Sequence, residues 1–209
     1  MTAENTVFTK TFSEIPVSKK EILRYAGAGT ITPEITRLLD ECLIASQGCF
    51  SYQVCYRFFP VVFGETLDLG FAKTPSRDLR RYLQGCDGIL LFAATVGLGI
   101  DRLIARYSSL SPAKALTFQA IGAERIESLC DVFCAEIKKE LALEGRAVKP
   151  RFSPGYGDLP LSLQREIFRA LEPARRIGLS LNESFLMSPS KSVTALVGFT
   201  TKGNAHERT

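Results

Sequence analysis

Apolar residues along this chain recur at two spacings, and the places where one gives way to the other mark the expected elements. Ser18 and Glu21 form a Ser-x-x-Glu capping box ahead of Ile22, Leu23 and Tyr25, and Gly27 supplies a stop, so a short helix is expected to open the fold. Thr32 followed by Pro33 begins a second helix, in which Ile35, Leu38, Leu39, Cys42 and Leu43 keep helical spacing until Gly48. Over 51–69 the pattern turns aromatic and β-branched, with Tyr52, Val54, Tyr56, Phe58, Val61 and Val62 interrupted by Pro60 and Gly64; this reads as two or three strands in a meander. Thr74-Pro75 introduces a basic helix over 76–84 that Gly85 ends, and the apolar run over 88–95 predicts a buried strand.

Ser111-Pro112 starts the longest periodic segment, which reaches about Glu144 and stops at Gly145. Leu116, Ile121, Ile126, Leu129, Phe133, Ile137 and Leu141 give it a core face, compatible with one helix or two. Beyond a proline-rich turn region over 150–160, a helix is expected over 162–171. Strands at 184–187 and 193–199 then flank Ser188-Pro189-Ser190 as a hairpin. Strands that cluster as meander and hairpin, instead of alternating one-for-one with helices, point to an α+β fold: a mainly antiparallel twisted sheet packed with helices. The simplest division is a single unit, 1–209, with helices and meander over 1–84 and the motif-bearing part over 85–209.

Composition narrows the function classes. With 45% hydrophobic residues the chain builds a real core, and a net charge of +4 without any long Lys/Arg run leaves no footprint for a polyanion, so no nucleic-acid partner is expected. The amino terminus lacks the basic stretch and apolar block of an export signal. The most apolar segment, 89–100, is bounded by Asp87 and Asp101 and is too short to cross a bilayer. A cytoplasmic location without a membrane span is expected. The six cysteines, Cys42, Cys49, Cys55, Cys86, Cys130 and Cys134, form no Cys-x-x-Cys pair, and the lone histidine is His206, so no metal site is expected and buried reduced thiols are.

Two segments could carry chemistry. Thr95-Val96-Gly97-Leu98-Gly99 runs from a strand through a Gly-x-Gly turn into a helix, as phosphate-binding loops do, but Arg102 stands where the third glycine of the dinucleotide fingerprint belongs. A tight turn that needs small residues for packing is the alternative. The second segment, 149–160, sets Pro150, Pro154 and Pro160 among Arg151, Tyr156 and Asp158, with Gly155 and Gly157 free to adopt positive φ. A stiff loop of this kind is either a structural turn or a binding platform. Its arginine offers a planar fork to a carboxylate, and its tyrosine offers a flat face and a hydroxyl.

Arg151-x-x-x-Gly155-Tyr156 resembles the Arg-x-x-x-Gly-Tyr motif of the activation domain of cobalamin-dependent methionine synthase. The stretch Arg176-Ile177-Gly178-Leu179-Ser180-Leu181-Asn182-Glu183-Ser184-Phe185, with Pro189 and Ser192-Val193 after it, is similar in order and spacing to the segment downstream of the motif in that family. The resemblance covers roughly the last ninety residues. It implies a methionine synthase activation domain-like fold and an S-adenosylmethionine site, with Arg151 on the methionine carboxylate, Ser153 (through its backbone), Gly155 and Tyr156 in the loop, and Glu127 as a helix carboxylate contacting the ligand. Two positions depart from the family pattern: Val197 stands where the register places a ligand-contacting tyrosine, and Leu159-Pro160 replaces a Cys-Pro pair.

The function that the resemblance implies is an accessory role in reductive reactivation, by S-adenosylmethionine-dependent remethylation, of a methionine synthase or related corrinoid methyltransferase. Cobalamin would be held by that partner, and a flavodoxin-type protein is the implied electron donor. The alternative is a non-catalytic module that caps a corrinoid protein and no longer binds S-adenosylmethionine. A third reading places a nucleotide at the Thr95 to Gly99 turn.

Overall fold

The computed structural model describes residues 6–200. Its centre is a four-stranded antiparallel sheet in the order β1 (Phe8–Phe12), β2 (Tyr52–Pro60), β6 (Gly88–Thr95) and β9 (Ser192–Phe199). Every residue of β6 is buried, because its two faces meet two different cores. Leu90, Phe92 and Ala94 point to one side, and Ile89, Leu91 and Ala93 to the other, as the two-residue period of a strand requires. This double burial explains why 88–95 reads as an unbroken apolar run instead of an alternating one.

The first core is covered by α1 (Lys19–Tyr25), α2 (Pro33–Ala45), α4 (Gly99–Leu110) and α5 (Pro112–Leu143). α5 is one uninterrupted helix of 32 residues, capped by the Ser111 hydroxyl, which accepts from Lys114 N at 3.4 Å. Leu116, expected on its core face, is exposed, and Phe118 takes the buried place; from Ile121 onward the expected positions are buried. The second core lies under α3 (Arg77–Leu83), α6 (Gln164–Leu171) and α7 (Pro173–Ile177). A small sheet of β3 (Val62–Phe63), β4 (Leu67–Asp68) and β5 (Lys73–Thr74) flanks it.

Three expectations need correction. The fold opens on β1, not on α1; Phe8, Thr9, Lys10, Thr11 and Phe12 alternate on an edge strand too short and too exposed to register as one. The meander over 51–69 divides: β2 leaves for the main sheet, and the true meander is β3–β4–β5. The strands about Ser188-Pro189-Ser190 do not form a hairpin. β8 (Met187–Ser188) pairs with β7 (Ser180–Leu181), while β9 pairs with β6, and Asp101 of α4 holds the connecting turn by accepting from Ser190 N at 2.8 Å and Ser190 Oγ at 2.5 Å.

The capping box is also only half built as expected. Ser18 Oγ accepts from Glu21 N at 3.3 Å, but Ser18 N donates at 2.8 Å to Glu124 of α5, not to Glu21. All six cysteines are free: Cys42, Cys55, Cys86 and Cys130 are buried, and Cys49 and Cys134 half-buried. Among the described residues no helix is long and apolar enough to cross a membrane. His206 lies outside the described residues.

Candidate functional site

The proline-rich segment does not loop free of the sheet. Lys149 N donates to Gly198 O at 2.9 Å, and Phe152 and Leu196 exchange a pair of backbone bonds of 2.9 and 2.8 Å, so 148–152 runs as a fifth, short edge beside β9. Tyr82 of α3 pins it from below, donating its hydroxyl to Pro150 O at 2.5 Å and accepting from Gly198 N at 2.9 Å. Burial pushes that hydroxyl up to about 12, so it stays protonated and keeps donating. Along this extended stretch side chains alternate: Arg151 goes to the α5 side, and Phe152 goes to the other, 5.0 Å from the Tyr82 ring and 6.2 Å from Tyr156.

Beyond it the chain turns tightly. Gly155, at φ +94, donates to Leu159 O at 2.9 Å, and Tyr156 N donates to Ser153 O at 3.2 Å. Gly157, at φ +54, comes so close to α3 that a Cβ would lie 2.3 Å from an Asp78 carboxylate oxygen. The next residue is the reason. Asp158 adds a distant cap to α3 beside its local cap Ser76, accepting from Ser76 Oγ, from Arg77 N at 2.7 Å and from Asp78 N at 3.2 Å, while its own N donates to Asp78 at 3.2 Å. These bonds, led by the Ser76 hydroxyl, hold its carboxyl below the usual carboxylate value. Asp158 is therefore a clamp that fixes the loop, not a residue of the cleft wall.

The clamped loop roofs a cleft of about 510 Å³ at the β9 edge of the sheet. Four of the residues expected at a site line it: Glu127, Arg151, Ser153 and Tyr156. Gly155 does not; its N–H is committed to the turn. Arg151 Nη2 donates to Glu127 at 3.0 Å and to Asp131 at 2.8 Å, two carboxylates one turn apart on α5, leaving Nε and Nη1 without an acceptor among the described residues. The adjacent thiols are not nucleophiles: burial drives Cys130 up strongly and Cys134 to about 11.

Sequence reasoning missed Gln164, Met187, Ser192 and Thr194, which complete the wall. A Gln in an amphipathic helix and a Thr in a strand carry no signal by themselves; only the meeting of α6, β8 and β9 gathers them. Val197, the position aligned with a ligand tyrosine, is 1% exposed in the α5-side core and takes no part in lining the cleft. The Gly-x-Gly turn resolves toward packing. Gly97 adopts φ +82 against Ser51, and a Cβ on Gly99 would lie 2.1 Å from the Cys49 carbonyl oxygen. Both glycines are accounted for without a phosphate.

No family model matches this chain, and no curated protein matches its sequence. Among solved structures it is similar to the crystal structure of the MetH reactivation domain bound to AdoHcy, with a TM-score of 0.63 over 92% of this chain and 78% of that one, at 17% sequence identity. A shared backbone at so low an identity speaks to architecture and leaves the side chains of each cleft to be judged on their own. The α+β chain, with its antiparallel sheet, long covering helix and edge-strand loop, therefore has the fold of the MetH reactivation domain.

Proposed function

We propose that the whole chain, 1–209, works as one unit that binds S-adenosylmethionine in this cleft and serves as an accessory component in the reductive reactivation of a cobalamin-dependent methionine synthase or related corrinoid methyltransferase. The observation that carries the reading is the convergence of Arg151 and Glu127 on one cleft wall, in the fold of a domain solved with AdoHcy. The donor set suits an amino-acid zwitterion. Arg151 keeps Nε and Nη1 for a carboxylate, Glu127 can take an ammonium, and Ser153 N–H donates to no other group among the described residues. The exposed ring of Tyr156 offers a π face to a sulfonium.

Bound S-adenosylmethionine would supply an already activated methyl group, so the protein need provide placement and not acid–base catalysis. That matches a cleft whose described lining has no histidine and no thiolate. The clamp to α3 fixes the loop that carries Tyr156, and the pairs with Glu127 and Asp131 set Arg151 against α5. Cobalamin belongs to the partner in this reading, and a flavodoxin-type protein supplies the electron.

A second reading has its own support. Arg151 is already neutralised by Glu127 and Asp131, as in a cleft that has closed on itself, which favours a module that caps a corrinoid protein without S-adenosylmethionine. Calorimetric titration with S-adenosylmethionine separates the two. Saturable heat in the wild type that is lost in Arg151→Ala supports the first; a silent wild type that still co-elutes with a corrinoid-loaded methyltransferase supports the second.

A further inference from the structure

The cleft contains two buried polar atoms that have no partner among the described residues. Gln164 begins α6 and is 5% exposed, and Thr194 on β9 is 3% exposed; Gln164 Oε1 and Thr194 Oγ1 have no hydrogen-bond partner among the described residues, and both side chains line the cleft. An unsatisfied buried group of this kind destabilises the folded chain. Ser192, two residues before Thr194 on the same face of β9, shows the ordinary outcome: its hydroxyl bonds to Thr95 Oγ1 at 2.9 Å and Pro189 O at 2.8 Å.

The placement of the pair limits what it can serve. The charged residues of the wall, Glu127 and Arg151, stand on the α5 side of the sheet edge. Across that edge Thr194 shares a face with Leu196, which packs in the α6-side core, and Gln164 and Met187 belong to the same side. That wall carries no charge among the described residues. One wall therefore suits ions and the other suits neutral hydrogen-bonding groups. A carboxamide can accept and donate along a base edge, and a hydroxyl can do either toward a sugar.

We propose that Gln164 and Thr194 form a nucleoside-recognising subsite, hydrogen-bonding the base and ribose of a ligand whose amino-acid end is held by Arg151. The subsite rests on the S-adenosylmethionine reading above and deepens it: the cleft selects the nucleoside–amino-acid conjugate over the free amino acid by filling two hydrogen-bonding positions that methionine cannot reach.

The test uses the full chain, titrated with S-adenosylmethionine and, separately, with methionine. Thr194→Val and Gln164→Met keep volume and remove the polar atom, and each weakens S-adenosylmethionine binding by about tenfold, the equivalent of one hydrogen bond, while leaving methionine unaffected. Thr194→Ser restores the hydroxyl and the affinity. Because the hydroxyl is unsatisfied in the free protein, Thr194→Val also raises the melting temperature of the ligand-free chain, the opposite of what a structural hydroxyl would do. Unchanged S-adenosylmethionine affinity in both variants, with a wild type that binds, overturns the subsite and leaves the ligand reading standing; so does a melting temperature that falls in Thr194→Val. A wild type that does not bind S-adenosylmethionine overturns both.

Discussion

Two arginines meet carboxylates of the same helix, α5, and they do opposite things. Arg125 is buried with every nitrogen engaged: Nε and Nη2 donate to Glu124 at 2.6 and 2.7 Å, Nη1 donates to Ile15 O at 2.8 Å, and Nη2 also reaches Pro16 O. Glu124 in turn accepts from Ser18 N and from Ser128 Oγ at 2.9 Å, so the pair ties the 15–18 segment to the helix. Arg151 uses one nitrogen for both of its carboxylates and remains 24% exposed. A buried charge with every nitrogen engaged locks structure, whereas a partly exposed one with nitrogens to spare can exchange partners. The difference teaches that burial and residual hydrogen-bonding capacity, more than the ion pair as such, separate a strut from a site.

Breaking the strut should cost most. Glu124→Ala strands Arg125 in the core and is expected to destabilise the protein by about 3–5 kcal/mol, measured by urea unfolding, with the first helix and the segment before it losing amide protection first. Arg151→Ala should do the reverse: roughly 0–1 kcal/mol in the same unfolding measurement, because the carboxylates it leaves behind are exposed to water, but a loss of about 10–100-fold in S-adenosylmethionine affinity. If the two variants instead lose stability equally, the contrast between strut and site is wrong.

Smaller effects sharpen the role of the roof. Gly157→Ala forces a side chain into a positive-φ turn and against the Asp78 carboxylate; it should cost about 1–3 kcal/mol of local stability and weaken ligand binding without touching the cleft wall. Hydrogen exchange at Asp158 N and Arg77 N reads this directly. The smallest effect is acid. The Asp158 carboxyl is held below its ordinary value of 3.8, so its contribution is complete above that value and is lost as pH falls through the lower, folded value. Arg77 N and Asp78 N should therefore lose protection only at the acid end, and Asp158→Asn should remove that pH dependence.

Much of this was legible in the chain. The caps at Thr32 and Ser111 sit where their residues announce them, since a capping bond spans only a few positions, whereas the basic helix expected from Thr74-Pro75 is capped by Ser76. Glu127, Arg151, Ser153 and Tyr156, which the motif resemblance singled out, line one cleft. Gly155 does not reach it, because a glycine chosen for positive φ had its N–H committed to closing the turn. β1 was missed because an edge strand needs no strong apolar signal when one neighbour supplies its pairing. Glu124 and Glu127 illustrate the limit: three residues apart on one helix, they look alike in sequence, yet one is a buried anchor and the other a cleft wall.

The sequence by itself determined the local elements, the buried central strand and the rigid loop that presents Arg151 and Tyr156, because caps, periodicity and backbone restriction are properties of neighbouring residues. Only the tertiary structure decided that β9 leaves its expected hairpin for β6, that Asp158 caps a helix some eighty positions away, and that Gln164 Oε1 and Thr194 Oγ1 have no partner among the described residues in the same cleft. Those outcomes depend on which surfaces meet across long separations, where many pairings satisfy the same local pattern and the packing of two cores against one sheet selects among them.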